Sequence, residues 1–121
     1  MYDRNKINNL AQYIDAVLQE TLHTRDEIVC VLWGGEGREI GKNSISLDIN
    51  SFWAFAENYC WDNDEWASGP PYPMALVSNG GWWIEATEYD CRTDLRFMEK
   101  PKVKPAKLFI GTDGNLCDME A

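Results

Sequence analysis

Residues 74–89 read Met-Ala-Leu-Val-Ser-Asn-Gly-Gly-Trp-Trp-Ile-Glu-Ala-Thr-Glu-Tyr, and this stretch decides the fold class. Met74 to Val77 is an apolar run of strand length. Ser78-Asn79-Gly80-Gly81 follows, and Asn-Gly between apolar runs is a strong hairpin signal because both residues accept the positive φ of a tight turn. Trp82 to Tyr89 answers as the returning strand. Side chains alternate across a strand, so the adjacent Trp82 and Trp83 point to opposite faces. One ring then enters the core, and the other is exposed, covered by a helix or used in binding.

Downstream, Asp90 to Asp94 reads as a turn and Leu95 to Met98 as the next strand. Pro101 and Pro105 confine 100–104 to an edge or an extended linker, where alternating Lys100, Lys102 and Lys104 would line one face. Leu108-Phe109-Ile110 is a last short strand, closed by Gly111-Thr112-Asp113-Gly114.

Upstream, Ile7, Leu10, Ala11, Ile14, Val17, Leu18 and Leu22 recur at three- and four-residue spacing, which predicts an amphipathic helix capped by Asp3 or Asn5 and fading near His23–Thr24. Ile28 to Trp33 is a β-branched apolar run that reads as a buried, central strand. Gly34-Gly35-Glu36-Gly37 turns the chain, and 38–42 is a candidate for a short returning strand. Ser44 to Ile49 alternates with the period of a half-buried strand. Asn50 or Ser51 then caps a second helix from Phe52 to about Trp61, with Phe52, Phe55, Ala56 and Tyr59 on one face. Residues 62–73 carry three prolines and form a loop. The sum is an α+β fold: a single domain over 1–121, with two helices packed on a mainly antiparallel sheet of four to six strands.

Charge narrows the function. The chain of 121 residues has net charge −9, and between Lys42 and Arg92 it has no Lys or Arg but five of its six tryptophans. Such a surface repels nucleic acid and anionic membranes and suits a basic protein surface, because carboxylates steer and large rings anchor. No apolar run approaches the roughly 20 residues that span a bilayer, and the polar start at 1–6 is unlike a secretory signal, so the expected setting is cytoplasmic. Cys30, Cys60, Cys91 and Cys117 form no C-x-x-C pair; free thiols are the simplest reading, with disulfides and a dispersed metal site as alternatives, and Cys30 reads as a buried hydrophobe.

The expected partner-binding residues are Glu57, Asp62, Asp64, Glu65, Trp66 and Tyr72, where acids and rings share a proline-stiffened loop. The acids depart from the EF-hand pattern, so a partner-facing patch is preferred to a calcium site. A platform of Trp66, Tyr72 and one of Trp82 and Trp83 would instead suit a carbohydrate or other small ligand. The glycine turn at 34–37 lacks the lysine and serine of a phosphate loop. His23, the only histidine, has no nucleophile motif beside it and reads as a helix C-terminal residue. No catalytic residue and no cofactor is expected.

Residues 81–90, Gly-Trp-Trp-Ile-Glu-Ala-Thr-Glu-Tyr-Asp, resemble segments of small proteins of bacteriophages and mobile elements. As a short, acidic, aromatic-rich single domain, the chain is similar in composition to the anti-CRISPR proteins. That resemblance implies an inhibitor in which carboxylates stand in for phosphates opposite the Arg and Lys of a Cas nuclease channel, in the cytoplasm of a host cell. The basic stretch 92–107 departs from a pure nucleic-acid mimic.

Overall fold

A computed structural model describes residues 3–34, 40 and 43–119. Helix α1 spans Leu10–Glu20 and α2 spans Ile49–Asn58; the strands are β1 Ile28–Trp33, β2 Ile45–Leu47, β3 Met74–Ser78, β4 Trp82–Tyr89, β5 Arg92–Glu99, β6 Leu108–Ile110 and β7 Leu116–Asp118. The first five strands form one antiparallel sheet in the order β2-β1-β3-β4-β5, and β6 and β7 form a separate two-stranded ribbon. The α+β expectation holds, with two helices on a five-stranded sheet. Among the described residues no helix is long and apolar enough to cross a membrane.

Both helices start elsewhere than expected. Asp3 caps only a 3-10 turn at Arg4–Lys6, and Asn9 caps α1 by accepting from the Gln12 amide. The reason is tertiary: Leu10 N–H donates to Tyr59 O and Trp61 N–H to Asn8 O, so residues 8–10 stay extended against 59–61 until the helix can begin. Asp48 accepts from the Ser51 amide at 2.9 Å, cutting β2 short at Leu47 and leaving Asn50 and Ser51 in the first turn of α2. The same bridge ends α2 at Asn58, before the expected Trp61, because Tyr59 must turn extended.

The core lies between the helices and one sheet face. Leu10, Ile14, Val17 and Leu18 of α1 and Phe52 and Ala56 of α2 close on Val31, Met74, Leu76, Ile84 and Leu95. Each of these Leu, Ile, Val, Met and Phe side chains contributes about 1.5–3 kcal/mol on burial. Trp82 joins them, whereas Trp83 is half-buried on the opposite face. β1 is paired on both sides, but only Ile28 and Val31 are buried and Val29 is exposed, since helices cover a single face. Cys30 is likewise half-buried, its Sγ 3.6 Å from Ser46 Oγ.

β5 begins three residues earlier than expected. Asp90 and Cys91 both take positive φ, 52° and 66°, making a two-residue hairpin loop that leaves Tyr89 opposite Arg92. The stretch 100–107 is wholly exposed and belongs to no strand, so its lysines line no edge; β7, unanticipated, pairs with β6 across the Gly111–Gly114 turn. The expected return strand at 38–42 and the glycine turn beyond Gly34 fall outside the described residues.

Candidate interaction surface

The loop joining α2 to β3 is held at both ends. Asn63 is its first anchor: its side-chain amide donates to Ile7 O at 2.6 Å and Asn5 O at 3.2 Å, and its Oδ1 accepts from Trp61 Nε1 at 3.0 Å and from Arg4. Arg4 also donates to Asp94 at 2.7 Å and lies over the Tyr13 and Trp61 rings, 5.3 and 5.7 Å from their centroids. The second anchor is Thr93 on β5. Its hydroxyl donates to Pro70 O at 2.6 Å and its amide to Ser68 O at 3.1 Å. Between those carbonyls Gly69 has φ of 122°, and a Cβ there would stand 2.2 Å from Thr93 O. Only glycine fits that approach.

Between the anchors the chain runs outward. Asp62 shapes the turn, accepting at its Oδ1 from the Asp64 amide and at its carbonyl from the Glu65 amide. Asp64, Glu65 and Trp66 then line a surface depression with Tyr89, Asp90 and Arg92. Trp66 is 68% and Tyr89 87% exposed, an unusual state for rings of that size. Among the described residues none of Asp64, Glu65 and Asp90 is in an ion pair.

The six expected residues therefore divide. Asp64, Glu65 and Trp66 come together, and Asp62 sets the turn that presents them. Glu57 stands apart on α2, where it meets Arg25 at 3.4 Å. Arg25 is mainly committed to Asp15, which it grips through two 2.7 Å bonds while stacking 4.1 Å over the Trp53 ring; the hydrogen bond to Asp15 is the chief cause that raises its already high pKa. Tyr72 lines other hollows, one with Tyr59 and Trp61 and one with Glu85 and Thr87. The platform of Trp66, Tyr72 and a neighbouring tryptophan is not assembled, because Trp82 is buried and Trp66 opens on a different depression from Tyr72. Tyr89 completes the patch. Its signal was the two-residue Asp90-Cys91 loop, which ends the strand pairing at Tyr89 and projects its ring.

His23 lies just past the end of α1, as its position implied. Its ring stacks 4.3 Å from Trp82 and 5.7 Å from Phe97, with Nδ1 2.9 Å from Glu27 Oε1. Glu27 also accepts from the Thr24 amide, and that bond, before the one to His23, holds its carboxyl below the usual range. The imidazole thus closes the rim of the core. None of the four cysteines is bonded to another, and among the described residues no group of three or more His, Cys, Asp or Glu is arranged to hold a metal ion. Compared with protein-family models, curated proteins and solved structures, the chain gives no significant match.

Proposed function

We propose that this chain is a small acidic interaction protein that docks on a basic protein surface through the Asp64-Glu65-Trp66 loop tip and the Tyr89–Asp90 turn. One observation carries the reading: Trp66, on a loop pinned at both ends, and Tyr89, at the end of β4, are large solvated rings among carboxylates that have no ion-pair partner among the described residues. Rings of this kind supply anchor area at low entropic cost, and unpaired carboxylates accelerate encounter with a cationic surface. Pinning by Asn63 and Thr93 reduces the ordering cost of binding. Among basic surfaces, the compositional resemblance to anti-CRISPR inhibitors favours the nucleic-acid channel of a Cas nuclease, and a phage or mobile-element origin rests on the same resemblance.

Surface plasmon resonance against such a nuclease across a salt series tests the proposal. Affinity falls as salt screens the charges. Alanine at Asp64, Glu65 and Asp90 together lowers kon by about tenfold. Trp66→Ala raises koff by about 30-fold, corresponding to roughly 2 kcal/mol. Binding that ignores both salt and these four substitutions rules the surface out.

A further inference from the structure

We propose that the C-terminal arm, residues 100–119, is exchanged between two copies of this chain, the β6–β7 ribbon of each docking in the apolar groove beside β2 of the other. The ribbon has no core of its own. By its register Leu108, Ile110 and Leu116 share one face, with Asp118 at its end opposite Leu108, and Phe109 and Cys117 share the other. Leu108 is 46%, Phe109 50%, Ile110 71% and Leu116 67% exposed. An isolated two-stranded ribbon is marginal in water, and one this apolar calls for a covering surface.

The matching surface lies on the body. Trp33, Leu47, Phe52 and Phe55 line a groove between α2 and the β1–β2 end of the sheet, with Asp48 and Ser51 at its border. Phe55 remains 41% exposed, and Ile45 on the neighbouring strand 65%. β2 is the edge strand of the described sheet, and among the described residues no strand pairs with its outer side, the side on which a strand could add. The ribbon's Leu108, Ile110 and Leu116 supply the apolar face, and its own unpaired edges supply the strand.

Two facts select a second copy as the occupant. The arm leaves β5, the sheet edge opposite β2, and the Glu99–Trp82 pair lies at the far end of the strands from the Trp33–Ile45 pair. Four strand spacings put the two edges about 19 Å apart, before any offset along the strands. The Lys100 amide is tied to Gly81 O, so the free strap is 101–107, which reaches about 25 Å at full extension. The straight line passes through the sheet, and the surface path is longer, so a chain's own groove demands a taut strap. A two-fold mate imposes no such limit and makes the contact isologous. Charge agrees. The stretch 100–107 carries Lys100, Lys102, Lys104 and Lys107 and no acid, whereas residues 1–99 carry seventeen acidic and seven basic side chains. Lys107 directly precedes β6, and Asp48 borders the groove that receives it.

Size-exclusion chromatography with light scattering on the full chain tests this. A dimer is expected at micromolar concentration. Ile110→Asp with Leu116→Asp in the ribbon, or Ile45→Asp beside the groove, each yields a monomer; all three positions are solvent-exposed in the single chain, and near-UV circular dichroism confirms that the body is intact. Mixing the ribbon variant with the groove variant restores a dimer, because the mixed pair keeps one complete exchange. A wild-type chain that stays monomeric overturns the proposal; ribbon amides then protected from hydrogen exchange indicate docking in the chain's own groove, and unprotected ones a different partner. A dimer that survives the ribbon substitutions, or a mixture that stays monomeric, overturns it equally.

Discussion

Leu22 occupies a position that suits glycine. α1 ends in a Schellman arrangement, with the His23 amide donating to Leu18 O at 2.9 Å and the Leu22 amide to Gln19 O at 3.3 Å. Closing it drives Leu22 to φ of 63°, a conformation that costs an L-residue about 1–2 kcal/mol. The side chain is 91% exposed and recovers nothing by burial. Glycine removes the strain and adds about 0.5–1 kcal/mol of unfolded-state entropy. Leu22→Gly therefore stabilises the protein by about 0.5–1 kcal/mol, read as a rise in urea midpoint at unchanged slope. Asp48 makes the complementary case for charge. Its backbone bond to Ser51, the largest cause, holds its carboxyl below the ordinary aspartate range. A depressed folded-state pKa contributes stability that is present above the unfolded value and lost as pH falls through the folded one. Asp48→Asn keeps a capping oxygen but cannot titrate, so its stability stays near wild type at neutral pH and its acid limb flattens below the ordinary aspartate range. Urea midpoints measured from neutral pH downward show this; an unchanged acid limb means that the cap carboxylate does not contribute.

At the scale of elements, the loop over 59–73 has its ends built and its tip free, and Asn63 is the joint on which the tip depends. Truncation to alanine leaves Ile7 O, Trp61 Nε1 and the Arg4 guanidinium without a shared partner. Asn63→Ala costs about 2–3 kcal/mol, since several partly buried polar groups lose their bonds together. Hydrogen exchange at 64–67 speeds up in the same variant, whereas a loop held by Thr93 alone would show no change. This joint also explains what could and could not be read from the chain. Elements marked by period or turn chemistry were legible: α1 from its aliphatic spacing, β3 and β4 from the Ser78–Gly81 turn between them, although the positive φ falls on Gly81 and not on the Asn79-Gly80 pair. Boundaries set by contacts far along the chain were not. The Asn9–Cys60 bridge moves the start of α1 and the end of α2 together, and neither residue carries a local mark of it. The patch behaved in the same way. Asp64, Glu65 and Trp66 are neighbours in sequence and stay so in space, whereas Glu57 turned to Arg25 on another face. Tyr89 reached the patch through strand pairing that only the register reveals.

As a whole molecule the chain divides into a body that owns the core and an arm that owns none. Among the described residues none beyond Phe97 belongs to the buried cluster or is a half-buried hydrophobic packed against it, and the Lys100 amide on Gly81 O ties the start of the arm to the sheet. The body's stability is thus intrinsic, while order in the ribbon depends on what covers it. Ending the chain after Lys100 then changes the unfolding free energy of the dilute protein by less than about 1 kcal/mol, because the lost hairpin is marginal by itself. The two forms diverge with concentration. A 121-residue chain that exchanges arms couples folding to association, so its thermal midpoint climbs as protein is added, by mass action on the native state alone. The truncated chain has nothing to exchange, and its midpoint stays constant over the same series. Circular dichroism melts at two concentrations a hundredfold apart make the comparison, with about two decades enough to shift an associating midpoint measurably. Parallel melts of the two chains would assign that shift to the body, leaving the arm without a role in assembly.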